Sequence, residues 1–342
     1  WWDYYDSPED TIHADIPGID VLPDGKGGEV WYINTDGGLF RTTDLTTFEN
    51  LSLKGLRVSQ YYDVHTSSVD PDHVIAGAQD QGYQVTATIG QKKKDSAYQF
   101  DQIISGDYGH LTSSDGSQDF VYSVYPGFIL IQIGEEKPVL TTASFPGSES
   151  YGAWLPPVVA DPDDKEVFYF CATRLYQYTR TDYWTWSGTP VSDPVVTGGD
   201  FLSAMTFSPL DSSRVYAASA NGGFFTSTDK GLTFSQSHSL IADDNWLYGQ
   251  TIVASQLDVD TVYVAGSGYG VPAVYRSFDA GASFAPWGDG LPDTLVYTIV
   301  EDRDGVLYAG TESSAYRRGP DDDAWEEIAA GPAPITLSLI HI

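Results

Sequence analysis

Val215 to Phe234 reads VYAASANGGFFTSTDKGLTF: a short apolar run, an Asn-Gly-Gly turn, a second short run, and a Ser-Thr-Asp-Lys-Gly turn ending in an aromatic. Strand-length runs of apolar, β-branched and aromatic residues broken by such turns are the mark of a meander of short strands. The preceding run, Phe201 to Ser208 (FLSAMTFS), and the following one, Ser235 to Ser237, make four strands in this copy. Related apolar runs begin at Val30 (VWYIN), Val74 (VIAGA), Val121 (VYSVY), Val167 (VFYFC), Val262 (VYVAG) and Val306 (VLYAG). With Val215 included, successive starts are 44, 47, 46, 48, 47 and 44 residues apart. A period of this size marks a repeat architecture. The chain therefore reads as all-β, a seven-bladed β-propeller of four-stranded antiparallel blades. No stretch sustains the 3.6-residue periodicity of a helix.

The other copies keep the order of elements. Asp70-Pro71-Asp72, Asp161-Pro162-Asp163, Pro23-Asp24, Asp115-Gly116 and Asp304-Gly305 mark the turn between the first two strands. Pro presets φ there and an Asp carboxylate accepts nearby N–H groups. The repeat occupies residues 11–330, a single propeller domain. Trp1 to Asp10 reads as the remnant of an upstream blade or a closing strand, and Gly331 to Ile342 fits no repeat phase.

Composition limits the function. The formal charge is −31, from 48 acidic and 17 basic residues. No basic stripe exists to displace counterions, so nucleic acid is excluded as a partner. Lys92-Lys93-Lys94 reads as a solvated loop tip. The acidity suits a saline habitat or an extracellular protein that meets divalent cations such as calcium. Cys171 is the only cysteine, which rules out a disulfide framework and a Cys-based metal site. No apolar run is long enough for a membrane-spanning helix. A monomer is expected.

Ser227-x-Asp229-x-Gly231-x-Thr233-Phe234 recurs as Ser277-x-Asp279-x-Gly281-x-Ser283-Phe284, with a shortened form from Thr42 through Asp44 to Phe48. These copies resemble the Asp-box, or bacterial neuraminidase repeat. They are read as structural: Gly supplies φ > 0, Asp satisfies turn amides, and the aromatic fills the blade. His13 to Asp44 (HADIPGIDVLPDGKGGEVWYINTDGGLFRTTD), Ser59 to Gly82 and Ile104 to Asp115 resemble successive blades of secreted bacterial Asp-box propellers. Those belong to the superfamily of sialidase-like, sortilin-like and xyloglucanase-like propellers. The resemblance implies export to the cell surface or beyond, and a polysaccharide or extracellular protein as partner.

Alignment of the blades on the turn at Asp70, Asp115, Asp161, Ser208, Ser255 and Asp302 suggests two columns. Five residues upstream stand His65, His110, Pro156, Ser203, Gln250 and Tyr297; seven upstream stand Asp63, Tyr108, Trp154, Phe201, Tyr248 and Leu295. Shared strand parity directs both columns to one side. The first three blades lead in with polar residues: His13 and Asp15, Asp63 and His65, Asp107 and His110. Later blades lead in with Trp154, Phe201, Trp246 and Tyr248. The expected ligand site combines these groups, His and Asp as acid/base groups or ligands and aromatics stacking on sugar rings, against the alternative that all of them pack between blades.

Asp36, in Asn34-Thr-Asp36-Gly-Gly38, resembles the hairpin that supplies an essential aspartate in xyloglucan-cleaving propellers, and Asp80 in Gln79-Asp80-Gln-Gly82 has similar chemistry. Both also read as plain hairpin turns. A glycosidase needs two carboxylates, about 5–5.5 Å apart for retention or about 6.5–9.5 Å for inversion, and the spacing names no pair. Sialidase chemistry resembles a three-arginine clamp with a Tyr/Glu pair. Arg41, Arg276 and Arg317 fall on third strands, and no Arg-Ile-Pro motif precedes Arg57, Arg174 or Arg214. A binding module is thus the preferred reading and a xyloglucanase-like glycoside hydrolase the alternative.

Overall fold

The computed structural model describes residues 11–52, 60–86, 100–135, 137–147, 152–237, 240, 247–267, 270–312 and 314–330. Trp1 to Asp10, the Lys92–Lys94 run, Trp246 and Gly331 to Ile342 lie outside them. Seven four-stranded sheets follow one another along the chain. In each, neighbouring strands are consecutive in sequence and antiparallel. The fold is all-β, a seven-bladed β-propeller. Blades 1 to 7 cover residues 18–50, 61–104, 109–144, 158–190, 202–236, 249–286 and 296–330. The chain falls into two compact units, Trp1–Gly109 with blades 1 and 2, and His110–Ile342, which holds blades 3 to 7 but for Gly109.

One device recurs at the turn between first and second strands. Asp24, Asp70, Asp115, Asp161, Asp211, Asp258 and Asp302 each accept through Oδ1 the N–H two residues on, at 2.7–3.1 Å. This Asx geometry needs a short carboxylate. Part of the acidic excess is therefore architecture.

A second device links third and fourth strands in blades 5 and 6. Ser227 Oγ donates to Asp229 Oδ1 (2.7 Å) and accepts the Gly231 N–H (3.0 Å). Asp229 accepts the Thr233 N–H (2.9 Å) and hydroxyl (2.6 Å). Ser277, Asp279, Gly281 and Ser283 repeat these bonds. The chain passes through the left-handed region at Lys230 and Gly231 (φ 60° and 86°). A Cβ on Gly231 would lie 2.7 Å from Leu175 of blade 4. Lys230 Nζ reaches Asp161 (2.9 Å) and Asp163 (2.8 Å) on that same blade. The hairpin thus closes its own sheet and grips its neighbour.

Within the second unit, apolar clusters fill each junction between consecutive blades. Phe168 and Phe170 of blade 4 pack with Tyr122 and Ile129 of blade 3. Phe168 stacks on Tyr178 at 4.7 Å and meets Tyr122 at 4.5 Å. Cys171 sits buried at the next junction, its Sγ 3.7 Å from Met205 Sδ, and burial pushes its thiol pKa up. Polar staples cross the same junctions: the Tyr122 hydroxyl to Lys165 O (2.6 Å), Arg214 to Asp260 (2.7 Å) and Ser255 Oγ to Glu301 (2.9 Å).

The first strands carry a feature that the parity argument missed. Pairing shifts by one residue at Tyr62, Ser203, Gln250 and Tyr297, in blades 2, 5, 6 and 7. Each is the extra residue of a β-bulge, and a bulge re-aims its side chain. Simple alternation along these strands therefore does not by itself fix where the two upstream columns point.

Candidate functional site

His13 lies in the lead-in to the first strand of blade 1 (Gly18–Pro23) and is only 3% exposed. Its Nδ1 donates to the Ala14 carbonyl at 2.8 Å, and its Nε2 lies 3.2 Å from Asp80 Oδ1. Burial is the strongest single influence and works against the imidazolium, while the hydrogen bond and charge of Asp80 work for it. The Ala14 carbonyl and Asp15 add to the effect, and the His13 pKa rises above its ordinary value.

Asp80 occupies the tight turn between the second and third strands of blade 2 (Val74–Ala78 and Gly82–Thr86), with φ 55°. Gly82 follows at φ 78°, and a Cβ there would lie 1.8 Å from the Ile104 carbonyl oxygen. Only glycine lets this turn press so closely on residues 104–106. The Asp80 carbonyl accepts the Gly106 N–H and the Ser105 hydroxyl, both at 3.0 Å. That contact delivers Asp107 beside Asp80.

Asp107 accepts the Tyr62 hydroxyl at 3.2 Å. Burial and the Asp80 charge nevertheless hold its pKa above the usual carboxylate range. Burial, with the charges of Asp107, Asp80 and Asp36, keeps Tyr62 a neutral phenol with a raised pKa. His13, Tyr62, Asp80 and Asp107 thus meet in the first unit, with Asp36 and Asp15 close enough for their charges to be felt.

Asp36 is exposed at the two-residue turn that joins Glu29–Thr35 to Gly38–Thr42. Asp15 is also exposed, at φ 55°. Asp63 Oδ1 accepts the adjacent Val64 N–H at 2.7 Å. His65 is buried in the first strand of blade 2, opposite Ile75. His110 belongs to the second unit. Its Nε2 lies 3.1 Å from the Leu155 carbonyl, and the protein packed around the ring lowers its pKa to about 4. This bond ties the His110 ring to the Leu155 segment of the same unit.

Tyr62 escaped the sequence reading because blade 2 was aligned on Asp70. The N–H of Ser67 bonds the carbonyl six residues on (His73, 3.0 Å), as Ser208 does with Arg214 and Ser255 with Thr261. Ser67 is therefore the true counterpart. Five residues upstream of it stands Tyr62, in line with the bulge residues Ser203, Gln250 and Tyr297. The Ser-x-x-Asp spacing shared by Ser67-Asp70, Ser208-Asp211 and Ser255-Asp258 was the available signal.

In the second unit, Gly152 packs on the Phe201 ring, and Phe201 meets Tyr248 edge-on at 6.4 Å. Trp154 is 67% exposed. Tyr248, Gln250, Leu295 and Tyr297 help to line a half-open cavity of about 240 Å³. Among the described residues, no group of three or more His, Cys, Asp or Glu side chains is arranged to hold a metal ion, and no helix is long and apolar enough to cross a membrane.

Comparison with known proteins gives the fold its relatives. Residues 290–313 match the family model described as two component regulator propeller. The chain is similar to the crystal structure of the GH74 enzyme of Niastella koreensis, with 14% identity and a TM-score of 0.57. That alignment covers 90% of this chain and 44% of the enzyme, so the chain spans under half the enzyme's length. It is likewise similar to YCF48 from Cyanidioschyzon merolae, with 12% identity and a TM-score of 0.57, over 79% of this chain and 85% of that one. No curated protein matches.

Proposed function

We propose that this chain is an Asp-box propeller that acts outside the cell or at its surface as a binding module for a polysaccharide or an extracellular protein. The observation that carries the reading is the convergence of His13, Tyr62, Asp80 and Asp107 in the first unit. Burying an ion pair beside a second carboxyl costs stability unless each group is partnered. The left-handed backbone at Asp15 and Asp80 adds strain of the kind that collects at functional sites. A phenol and two carboxyl groups, held in place beside the His13 ring, supply donors and acceptors of the kind hydroxyl-rich ligands need.

A xyloglucanase-like glycoside hydrolase is the second reading, favoured by one specific feature. Asp107 holds its proton more tightly than an ordinary carboxyl while Asp80 is paired with His13. A carboxyl group with a raised pKa suits a general acid, and a GH74 enzyme is among the structural relatives. The test is a screen of soluble polysaccharides for both binding and reducing-sugar release, with Asp107→Asn alongside. Binding without release, weakened at least tenfold in the variant, supports the module. Release that the variant abolishes replaces it with the hydrolase. Neither binding nor release by any glycan, together with no protein partner captured from an extracellular fraction, overturns both.

A further inference from the structure

The cavity of the second unit lies where two adjacent blades carry the bulge that also recurs in blades 2 and 5. Gln250 and Tyr297 are the extra residues of the bulges in the first strands of blades 6 (Gly249–Ala254) and 7 (Val296–Glu301). Two adjacent blades thus spend the same irregularity on turning a side chain toward one space. Tyr248 is fixed beside them by its backbone: its N–H donates to Ser267 Oγ (2.8 Å), and its carbonyl accepts the Ser267 N–H (3.2 Å). Gly266 makes this possible. A Cβ there would stand 1.8 Å from the Tyr248 carbonyl oxygen, so no other residue allows the approach.

We propose that this cavity is a subsite for one neutral pyranose ring of a polysaccharide. Its volume, about 240 Å³, falls below the roughly 300–1,000 Å³ of pockets that hold drug-sized molecules, so it is on the scale of a single ring with the rest of the polymer outside. Two tyrosines make the lining largely apolar and aromatic, the kind of surface on which the C–H face of a sugar ring stacks. The Gln250 amide adds a donor and an acceptor. None of the seven lining residues is charged, in a chain of formal charge −31. A uronic acid would gain no cation here, and a basic peptide would find no carboxylate among the lining residues. The inference rests on the carbohydrate side of the function proposed above, at a different place.

The test is affinity electrophoresis and calorimetry of the whole chain with xyloglucan, galactomannan and laminarin as neutral probes and polygalacturonate as the charged one. Tyr248→Ala, Tyr297→Ala and Gln250→Leu are compared with Asp107→Asn and, as an exposed aromatic elsewhere, Trp184→Ala. The expected result is binding of at least one neutral polymer, weakened tenfold or more by each tyrosine variant, several-fold by Gln250→Leu, and unchanged by Trp184→Ala. Circular dichroism and melting show that the variants are folded. Gln250 is exposed, so its replacement leaves the core intact even if a tyrosine variant does not fold. Neutral-glycan binding that all three cavity variants retain overturns the subsite and leaves the binding module standing. Preference for polygalacturonate, or binding only to a protein partner, also overturns the subsite. No binding of any polymer overturns subsite and carbohydrate reading together.

Discussion

His13 faces an acceptor on each ring nitrogen, the Ala14 carbonyl at Nδ1 and the Asp80 carboxylate at Nε2. Only the imidazolium donates to both. Its folded pKa is raised, so its contribution to stability is complete below the unfolded value near 6.5 and is lost as pH rises through the folded value. Asp107 acts in the same direction: with a raised folded pKa, it favours the folded state below the ordinary carboxylate range and loses that advantage as it ionises. The first unit is therefore expected to weaken as pH climbs above the ordinary carboxylate value of 3.8, and further once it passes 6.5. Asp80→Asn removes the partner of His13, and an NMR titration of the His13 ring should then show its pKa falling. A ring pKa that does not move would show that Asp80 is not what raises it. The sequence marked His13, Asp80 and Asp107 as chemistry-bearing residues without showing that they meet. His65 and His110, equally prominent in the sequence, are tied into the interior or to a carbonyl.

At the scale of elements, the Ser-x-Asp-x-Gly hairpin was legible because every bond it makes internally lies within six residues. Hydrogen bonds from Thr233 and Ser227 hold Asp229 down to about 2, and Asp279 is also lowered, its burial outweighed by bonds from Ser283 and Ser277. Depressed carboxyl groups contribute stability above the unfolded value near 3.8, and lose it as pH falls through the folded value. Acid between pH 4 and 2 should therefore loosen blades 5 and 6, which hydrogen exchange at Gly231 and Gly281 would report. Protection that persists to pH 2 would contradict this. The blade junctions depend on packing instead. Phe168 is fully buried between Tyr122 and Tyr178, and Phe168→Ala is expected to cost about 3–5 kcal/mol in denaturant unfolding. A cost under about 1 kcal/mol would mean that the ring sits loosely.

For the whole molecule, the charge of −31 is a distributed repulsion that the seven Asx turns help to create. Salt shortens the Debye length from about 30 Å at 0.01 M to about 8 Å at 0.15 M. Melting midpoints should therefore rise over that range, and a midpoint that falls would show that attractive ion pairs such as Lys230 with Asp161 and Asp163 dominate. Seven blades, their strand order and their turns are legible in the chain's local pattern. Each depends on contacts among residues near in the chain, where alternation and turn chemistry leave a local mark. Long-range packing, by contrast, brings Tyr62 to Asp107, Asp80 to His13, and Gln250 and Tyr297 to one cavity. Those outcomes hang on single-residue bulges and on glycines at close backbone contacts, Gly82 and Gly266, whose effect appears only once distant segments are pressed together.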